Sequence, residues 1–209
     1  MKEKVLLHSC CGPCSTACVE RLAPDYSITV FFYNPCITDP EEYERRKANQ
    51  IRFLEERNRR LREAGMPAED QVAFVGGAYD PGAYFERVRG LEDEPEGGAR
   101  CRVCFLDRLT AARDYARAHG YPLFTTTLTV SSHKDYRLIS SIGKALAAET
   151  PEGPAFLDVD FKKKDGFRRS VELSKEYGLY RQDYCGCLFS KRQREEQKRR
   201  AAERSAKNV

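Results

Sequence analysis

The chain has 209 residues, of which 41% are hydrophobic, and it carries nine cysteines and a formal net charge of +4. This length and composition suit one domain with a buried core. No apolar run approaches the roughly 18 residues needed to cross a bilayer, and Met1-Lys2-Glu3-Lys4 leads directly into an apolar segment too short for a signal peptide. We therefore expect a cytoplasmic protein without a membrane anchor.

Strands and helices are predicted to alternate along the chain. β-Branched and aromatic runs predict strands at residues 5–8, 28–33, 71–75, 123–130 and 156–159. Amphipathic or capped segments predict helices at residues 15–22, 41–64, directly after Pro81, and at 101–120, 136–149 and 165–177. This order predicts an α/β fold with a doubly wound, mainly parallel sheet.

The first predicted strand ends at His8, and Cys10, Cys11 and Cys14 follow it. Ligands of open parallel sheets bind outside the carboxyl ends of the strands, so these thiols lie where chemistry is expected. A helix N-terminus at this loop lowers thiol pKa, which favours a redox cysteine and a thiolate ligand equally. Position alone therefore leaves both interpretations open.

Two further cysteine pairs favour metal binding. Cys101 and Cys104 form a C-x-x-C pair at the start of a predicted helix, and Cys185 and Cys187 form a C-G-C loop. A disulfide-exchange enzyme needs one pair, whereas a structural zinc or a four-iron cluster needs about four ligands. A dithiol enzyme using Cys11 and Cys14, or inert buried thiols, are the alternatives.

The two remaining cysteines are left out of the predicted ligand set. Cys18 follows Cys14 by four residues, on a helix with Ala17, Val19 and Leu22, and is expected to pack in the core. Cys36 stands alone in the loop sequence YNPCITDP, which is a weak indication of metal binding.

The positive charge is concentrated at the C-terminus. Residues 191–209 hold eight Lys or Arg against three Glu, so the rest of the chain is nearly neutral. We predict a single domain at residues 1–190 followed by a basic helix or tail at 191–209. The tail is either a solvated, frayed helix or an arm that contacts phosphates.

Five segments carry a resemblance to a known family: LLHSCCGPCSTACVERL, VFFYNPCITDPEEYERRK, CRVCFLDRLTAARDYA, LFTTTLTVSSHKD and DYCGCLFSKRQRE. Together they resemble the cobalamin-independent epoxyqueuosine reductases of the QueH type, over about residues 4 to 195. The most specific element is the C-C-x-P-C loop combined with C-x-x-C and a late C-G-C.

The resemblance implies a fold similar to nucleotide-binding (HUP-like) α/β proteins, with a four-iron, four-sulfur (4Fe-4S) cluster and a nearby single iron. It also implies two-electron reduction of epoxyqueuosine in a tRNA anticodon loop, with electrons from a donor such as a ferredoxin or flavodoxin. Carried over by position, the cluster ligands are Cys10, Cys11, Cys101 and Cys104, with Cys14 as the reserve ligand. Candidates for the single iron are Cys14, Cys185 and Cys187, with His8 and Asp39 behind them.

Epoxide reduction also requires a proton donor, and four side chains near predicted strand ends are candidates: Tyr33, Asp39, Tyr136 and His133.

The backbone of the RNA would contact basic residues in the tail and in FKKKDGFRR, namely Lys162-Lys163-Lys164 and Arg168-Arg169. Phe161 and Phe167 are interleaved with these charges, a pattern that suits base stacking and equally suits a solvated helix start.

Three functions from other classes compete with this interpretation. A thiol-disulfide oxidoreductase would survive metal removal, and a zinc-stabilised RNA-binding module would catalyse nothing. An ATP-dependent tRNA-modifying enzyme needs a glycine-rich phosphate loop after the first strand, and HSCCGPC offers a single glycine. ATP use is therefore disfavoured.

Overall fold

The computed structural model describes the backbone of residues 1–207 and the side chains of residues 1–205. Within this range the strands are β1 (Glu3–Ser9), β2 (Tyr26–Phe32), β3 (Ala73–Gly76), β4 (Leu123–Thr126) and β5 (Ala155–Phe156). The helices are α1 (Gly12–Leu22), α2 (Pro40–Glu63), α3 (Pro81–Arg87), α4 (Ala99–Ala118), α5 (Tyr136–Ala148), α6 (Gly166–Glu176) and α7 (Leu188–Lys207). Short 3-10 turns occupy Ala68–Asp70 and Thr127–Val130.

The five strands form one parallel sheet in the order β3-β2-β1-β4-β5. β1 is central and pairs on both edges, so that His8 lies opposite Phe31 of β2 and Thr126 of β4. The chain builds outward from β1 through β2 to β3, then crosses to β4 on the other side. The predicted doubly wound α/β fold is confirmed, and its switch point lies between β1 and β4.

Successive residues of β1 supply the two cores on opposite faces of the sheet. Val5 and Leu7 pack in the core that contains residues of α1 and α2. Leu6 packs in the other core, with residues of α4 and α5. A parallel strand covered on both faces must be apolar throughout, which explains the run VLL.

Two strand predictions are wrong at their ends. The predicted strand 123–130 stops at Thr126, whose hydroxyl accepts a hydrogen bond from the Leu128 amide at 3.1 Å and starts the 3-10 turn. The predicted strand 156–159 is limited to two residues, Ala155 and Phe156. Thr129 donates to the Val159 carbonyl at 2.8 Å, so a side chain replaces the backbone pairing there.

Helix α7 begins at Leu188, within the predicted domain, and its first turn is buried through Phe189 and Ser190. It continues through the predicted basic tail, whose residues 208–209 lie outside the described part of the chain. In the described residues, no helix combines the length and apolar character required to cross a membrane.

Helix α6 depends on a tight approach at its first residue. A Cβ on Gly166 would overlap the Phe161 carbonyl oxygen. The preceding Lys164 and Asp165 both adopt left-handed conformations, with φ of 56° and 57°. Left-handed conformations are costly for non-glycine residues, so the close packing at Gly166 has to offset the strain of this turn.

We predict that Gly166→Ala lowers the free energy of unfolding by roughly 1–3 kcal/mol, because the added methyl group overpacks a backbone contact. Urea unfolding at matched metal content measures the loss. Gly76→Ala is the control, because its added Cβ would meet only the Lys47 side chain, at 4.0 Å. Equal unfolding midpoints for the two variants would contradict the packing argument.

Candidate metal centre and substrate cavity

The cysteine loop lies at the switch point of the sheet. Cys10 and Cys11 follow β1 directly, and the Cys10 amide donates to the Thr127 hydroxyl at 3.4 Å, just beyond β4. The loop is therefore held between the carboxyl ends of the two strands, where ligands bind in folds of this kind.

The Sγ atoms of Cys10, Cys11 and Cys14 all lie within 4.8 Å of one another, and we call these residues the cysteine triad. Cys10 Sγ and Cys11 Sγ are 3.8 Å apart. The chain turns sharply here because α1 starts at Gly12, whose Cα packs so closely that a Cβ would lie 2.9 Å from the Asn49 carbonyl oxygen. This turn lets adjacent cysteines face one point, as metal binding requires.

The triad ionises unevenly. Hydrogen bonds from Cys11 and Cys14 hold the pKa of the Cys10 thiol well below its usual range, and the nearby Lys134 and Arg108 charges act in the same direction. Donation to Cys10 raises the pKa of the Cys11 and Cys14 thiols. Cys10 is therefore the first thiol of the triad to ionise, and the thiolate is the form that binds metals.

Five other cysteines line a small cavity of about 30 Å³. We call them the five-cysteine group: Cys36, Cys101, Cys104, Cys185 and Cys187. They come from the loop after β2, the start of α4 and the loop before α7. Among the described residues, these sulfurs do not form a second cluster as close as the triad.

One thiol of the five-cysteine group is acidified. Donation from Cys104 lowers the pKa of Cys36 to about 6, with Arg108 and Arg46 adding to the effect. Burial raises the pKa of Cys185 to about 11 and also raises that of Cys101. The Gly97 amide donates to Cys101 Sγ at 3.2 Å.

Buried cations lie among the sulfurs. Arg108 is 2% exposed, and its Nε donates to the Cys104 carbonyl at 3.3 Å, while its Nη2 is buried without a hydrogen-bond partner. Burial lowers the pKa of Arg108, but Cys104 and Cys36 raise it further, so the guanidinium stays charged. Lys134 shows the same balance between burial and the thiols of Cys185 and Cys10, with a raised pKa.

A third cation anchors the C-G-C loop to α2. Arg46 is 1% exposed and is paired with Glu42 at 2.7 Å. It donates to the backbone carbonyls of Cys185 at 2.9 Å and Tyr184 at 3.3 Å. The loop that carries Cys185 is therefore fixed by a buried ion pair.

A larger cavity of about 470 Å³ reaches Cys10 and Cys14. Exposed side chains such as Phe167 and Arg181 border it, so it opens to solvent. Four residues line both cavities: Glu96, His133, Lys134 and Cys185. The two groups of cysteines thus lie at adjacent cavities, and the cavity on the triad side opens to solvent.

Comparison with known proteins shows the family of the chain. The sequence profile described as "Epoxyqueuosine reductase QueH" matches residues 5–193. The chain belongs to this family. The resemblance drawn from the cysteine motifs is confirmed.

Proteins named epoxyqueuosine reductase QueH from several bacteria are similar to the chain. That of Streptococcus pyogenes serotype M1 is 40% identical over 91% of this chain and 71% of its own length. That of Haemophilus influenzae is 40% identical over 91% and 72%. That of Thermotoga maritima is 32% identical over 92% of both chains.

The structure groups the predicted ligands of this QueH family member differently from the sequence prediction. Cys14 lies with Cys10 and Cys11, whereas Cys101 and Cys104 lie in the five-cysteine group. Cys18 packs in the core as predicted, with its thiol donating to the Cys14 carbonyl at 3.2 Å.

His8, a reserve candidate for the single iron, has no free ring nitrogen. Its Nε2 lies 3.0 Å from the Tyr33 carbonyl, which can only accept, so Nε2 carries the proton. Nδ1 accepts from the Thr126 hydroxyl at 2.9 Å. Burial, with Arg108 nearby, lowers the pKa of His8 to about 4, and the neutral ring connects β1, β2 and β4 instead.

Asp39, Tyr33 and Tyr136 line neither of the two cavities. Asp39 caps α2, and the Glu42 amide lowers the pKa of its carboxyl, so it is ionised and has no proton to donate. Tyr136 donates to Asp158 at 3.0 Å, and burial raises the pKa of its hydroxyl. Tyr33 stacks on Phe31. His133 does line both cavities.

Four residues of the site were missed by the sequence interpretation: Cys36, Arg108, Lys134 and Gln182. Gln182 Nε2 donates to Cys11 Sγ at 3.1 Å, and its Oε1 is buried without a partner. The sequence gives only two signals that these residues belong to the site. Arg108 follows Cys104 by one helical turn, and Lys134 follows a strand end.

We predict that Cys14→Ala lowers the iron bound after anaerobic reconstitution, because it removes one of three converging sulfurs. Cys18→Ala is the matched control, since this buried thiol lies one turn along the same helix and faces the core. Iron content per chain is the measurement. Iron loss in Cys18→Ala with full iron in Cys14→Ala would show that the triad is not a metal site.

Proposed function

We propose that the protein reduces epoxyqueuosine to queuosine at the wobble position of a tRNA anticodon loop. The observation that carries this proposal is the open cavity lined by Cys10 and Cys14 of the triad, found in a chain of the QueH family. The reaction takes up two electrons and two protons. Both C–O bonds of the epoxide break, a C=C bond forms, and the oxygen leaves as water.

The chain offers a donor set that fits iron–sulfur chemistry. Eight cysteines belong to the triad or the five-cysteine group, and each one is a free thiol. The orphaned Nη2 of Arg108 points to missing negative charge in the smaller cavity, which thiolates around a metal would supply. These observations support a 4Fe-4S cluster and a separate iron as the cofactors.

We assign the two centres to the two cysteine groups. The five-cysteine group has enough thiolates for the four ligands of a cluster, with Cys101 and Cys104 among them as predicted. The triad has three thiols, two of which line the larger cavity, and these residues would hold the single iron. Cys10 and Cys11 move from the cluster to the iron in this assignment, because Cys14 lies with them.

When bound, the cluster would supply electrons one at a time and the iron would act as a Lewis acid toward the epoxide oxygen. Lys134 holds its ammonium where both cavities meet, and the thiols of Cys185 and Cys10 keep it protonated although burial opposes this. It therefore stabilises negative charge that develops on the departing oxygen. Electrons come from a one-electron protein donor such as a ferredoxin or flavodoxin.

The shape of the larger cavity suits a base that has left its stack. A modified base inside an anticodon loop must turn outward to reach thiols that line a cavity. Arg181, Arg194 and Lys134 line the cavity and provide positive charge for the phosphates around that base. A tRNA substrate and reduced thiols both support a cytoplasmic reaction as part of this proposal.

The test is anaerobic turnover of tRNA carrying epoxyqueuosine, with iron-loaded protein and a low-potential reductant. Formation of queuosine by mass spectrometry is expected from the wild type. Cys104→Ala should lose most of the roughly four sulfides per chain and the activity. Cys14→Ala should keep the sulfide and lose the activity. Turnover by metal-free protein would instead favour dithiol chemistry, and stoichiometric zinc without turnover would favour an RNA-binding module.

The basic end of α7 gives a separate prediction about tRNA binding. A chain that ends at Gln197 loses five cations and one acid, yet keeps the buried first turn of α7 that is continuous with Cys187. We expect weaker tRNA binding at low salt and a shallower dependence of log affinity on log salt concentration. The visible spectrum should stay unchanged. Identical affinity and slope would assign the phosphate contacts to the cavity rim alone.

A further inference from the structure

Five large apolar side chains are well exposed in the described part of the chain: Met1, Met66, Phe85, Leu106 and Phe167. Of these, Phe167 alone borders a cysteine-lined cavity. It is 41% exposed, whereas the neighbouring aromatic Phe161 is 1% exposed. The prediction that Phe161 stacks on a base is therefore wrong, and an exposed ring at the entrance of the site remains to be explained.

The backbone under Phe167 is firmly held. It is the second residue of α6, directly after the tightly packed Gly166. The Phe167 carbonyl accepts from the Ser170 hydroxyl at 2.7 Å, and both Ser170 and Leu173 are buried against the rest of the fold. The ring is thus presented at the cavity from a fixed position, which reduces the entropy lost when a flat ligand binds it.

A guanidinium lies beside this ring. The Arg181 Cζ is 5.9 Å from the Phe167 ring centroid, and Nη1 is held by the Ser170 carbonyl at 3.2 Å and the Ser174 hydroxyl at 3.0 Å. Among the described residues, no carboxylate lies within 4.0 Å of Arg181. Arg168 and Arg169 of the same helix differ, because both pair with carboxylates. They are poorer candidates for phosphate contact than the sequence suggested.

Acidic residues on the cavity do not cancel this charge. Asp183 is already paired with Lys198 and lies 3.9 Å from Arg194. Glu96 lines the cavity at its junction with the smaller one. The part of the rim formed by Phe167 and Arg181 therefore combines an exposed aromatic face with an unneutralised cation, which is the combination that recognises single-stranded nucleic acid.

We propose that Phe167 is a stacking platform for the nucleobase next to the modified base of the RNA substrate, with Arg181 on the adjacent phosphate. The inference rests on the proposed function. When the modified base turns into the cavity, its neighbour in the loop loses a stacking partner. The Phe167 ring replaces that partner at the cavity entrance, and it tolerates any base because every base has a flat face.

The experiment uses iron-loaded protein and an anticodon stem-loop with fluorescent aminopurine beside the wobble position. Phe167→Ala should weaken binding by roughly tenfold, the effect of losing one base–aromatic stack. The salt dependence should not change, because no phosphate contact is lost. Stacking should quench aminopurine fluorescence in the wild type and in Phe167→Trp, and the quenching should be lost in Phe167→Ala.

Phe85→Ala is the matched control. Phe85 is 38% exposed, close to the value for Phe167, and it lines neither cavity. This variant should bind the stem-loop as the wild type does. Arg181→Gln should weaken binding and make the salt dependence shallower, which separates phosphate contact from stacking.

The outcomes distinguish this inference from the proposed function. Queuosine formation by the wild type tests the function. Affinity and quenching with the aminopurine stem-loop, which carries no epoxyqueuosine, test the role of Phe167. If Phe167→Ala matches Phe85→Ala in both affinity and quenching, the stacking role is wrong whether or not the wild type turns over. Flavodoxin binding is measured in a parallel assay. If Phe167→Ala weakens flavodoxin binding and leaves stem-loop binding unchanged, the ring docks a protein donor and the inference is overturned.

Discussion

The central strand β1 is hydrogen-bonded on both edges, so the chain after Ser9 has to leave over the carboxyl end of the sheet. This constraint places the cysteine triad between β2 and β4. The neutral His8 ring strengthens it by accepting from Thr126 and donating to the Tyr33 carbonyl. The start of α4 and the loop before α7 supply further residues of the site next to the cysteine triad. A shift of β1 by one residue would exchange its two apolar faces and misplace the sulfurs.

Charge balance is the second condition for this site. Eight thiols near the carboxyl ends of the strands do not all ionise readily, because each thiolate raises the pKa of the thiols around it. Lys134 lines both cavities, Arg108 lines the smaller one, and the buried Arg46 holds the loop of Cys185. Arg46 has its own carboxylate partner in Glu42, whereas the charge of Arg108 is offset chiefly by thiols. The cations therefore favour the thiolate form, which is the form that binds metals.

The sequence was sufficient to predict the alternation of strands and helices, the parallel sheet and the placing of Cys10 after β1, because apolar periodicity and strand ends are local signals. It could not predict that Cys36 lies beside Cys104, since a lone loop cysteine has no spacing pattern. Arg108 looks like a solvated helix residue until packing shows it to be buried. The end of β4 was missed because threonine favours strands, yet the Thr126 hydroxyl also caps a turn. Non-local packing and competing side-chain hydrogen bonds account for these failures.

The hydrogen bond from Gln182 to Cys11 joins residues that are 171 positions apart in sequence. Contacts of this separation form late, because a long loop has to close before they contribute any stability. While the chain is still being synthesised, the triad exists without the segment that completes its surroundings. The complete surroundings of the triad are therefore present only in a nearly finished chain. A metal held by the five-cysteine group would connect the loop after β2 and the start of α4 to the loop before α7, and the C-terminal segment would acquire a share of its binding free energy.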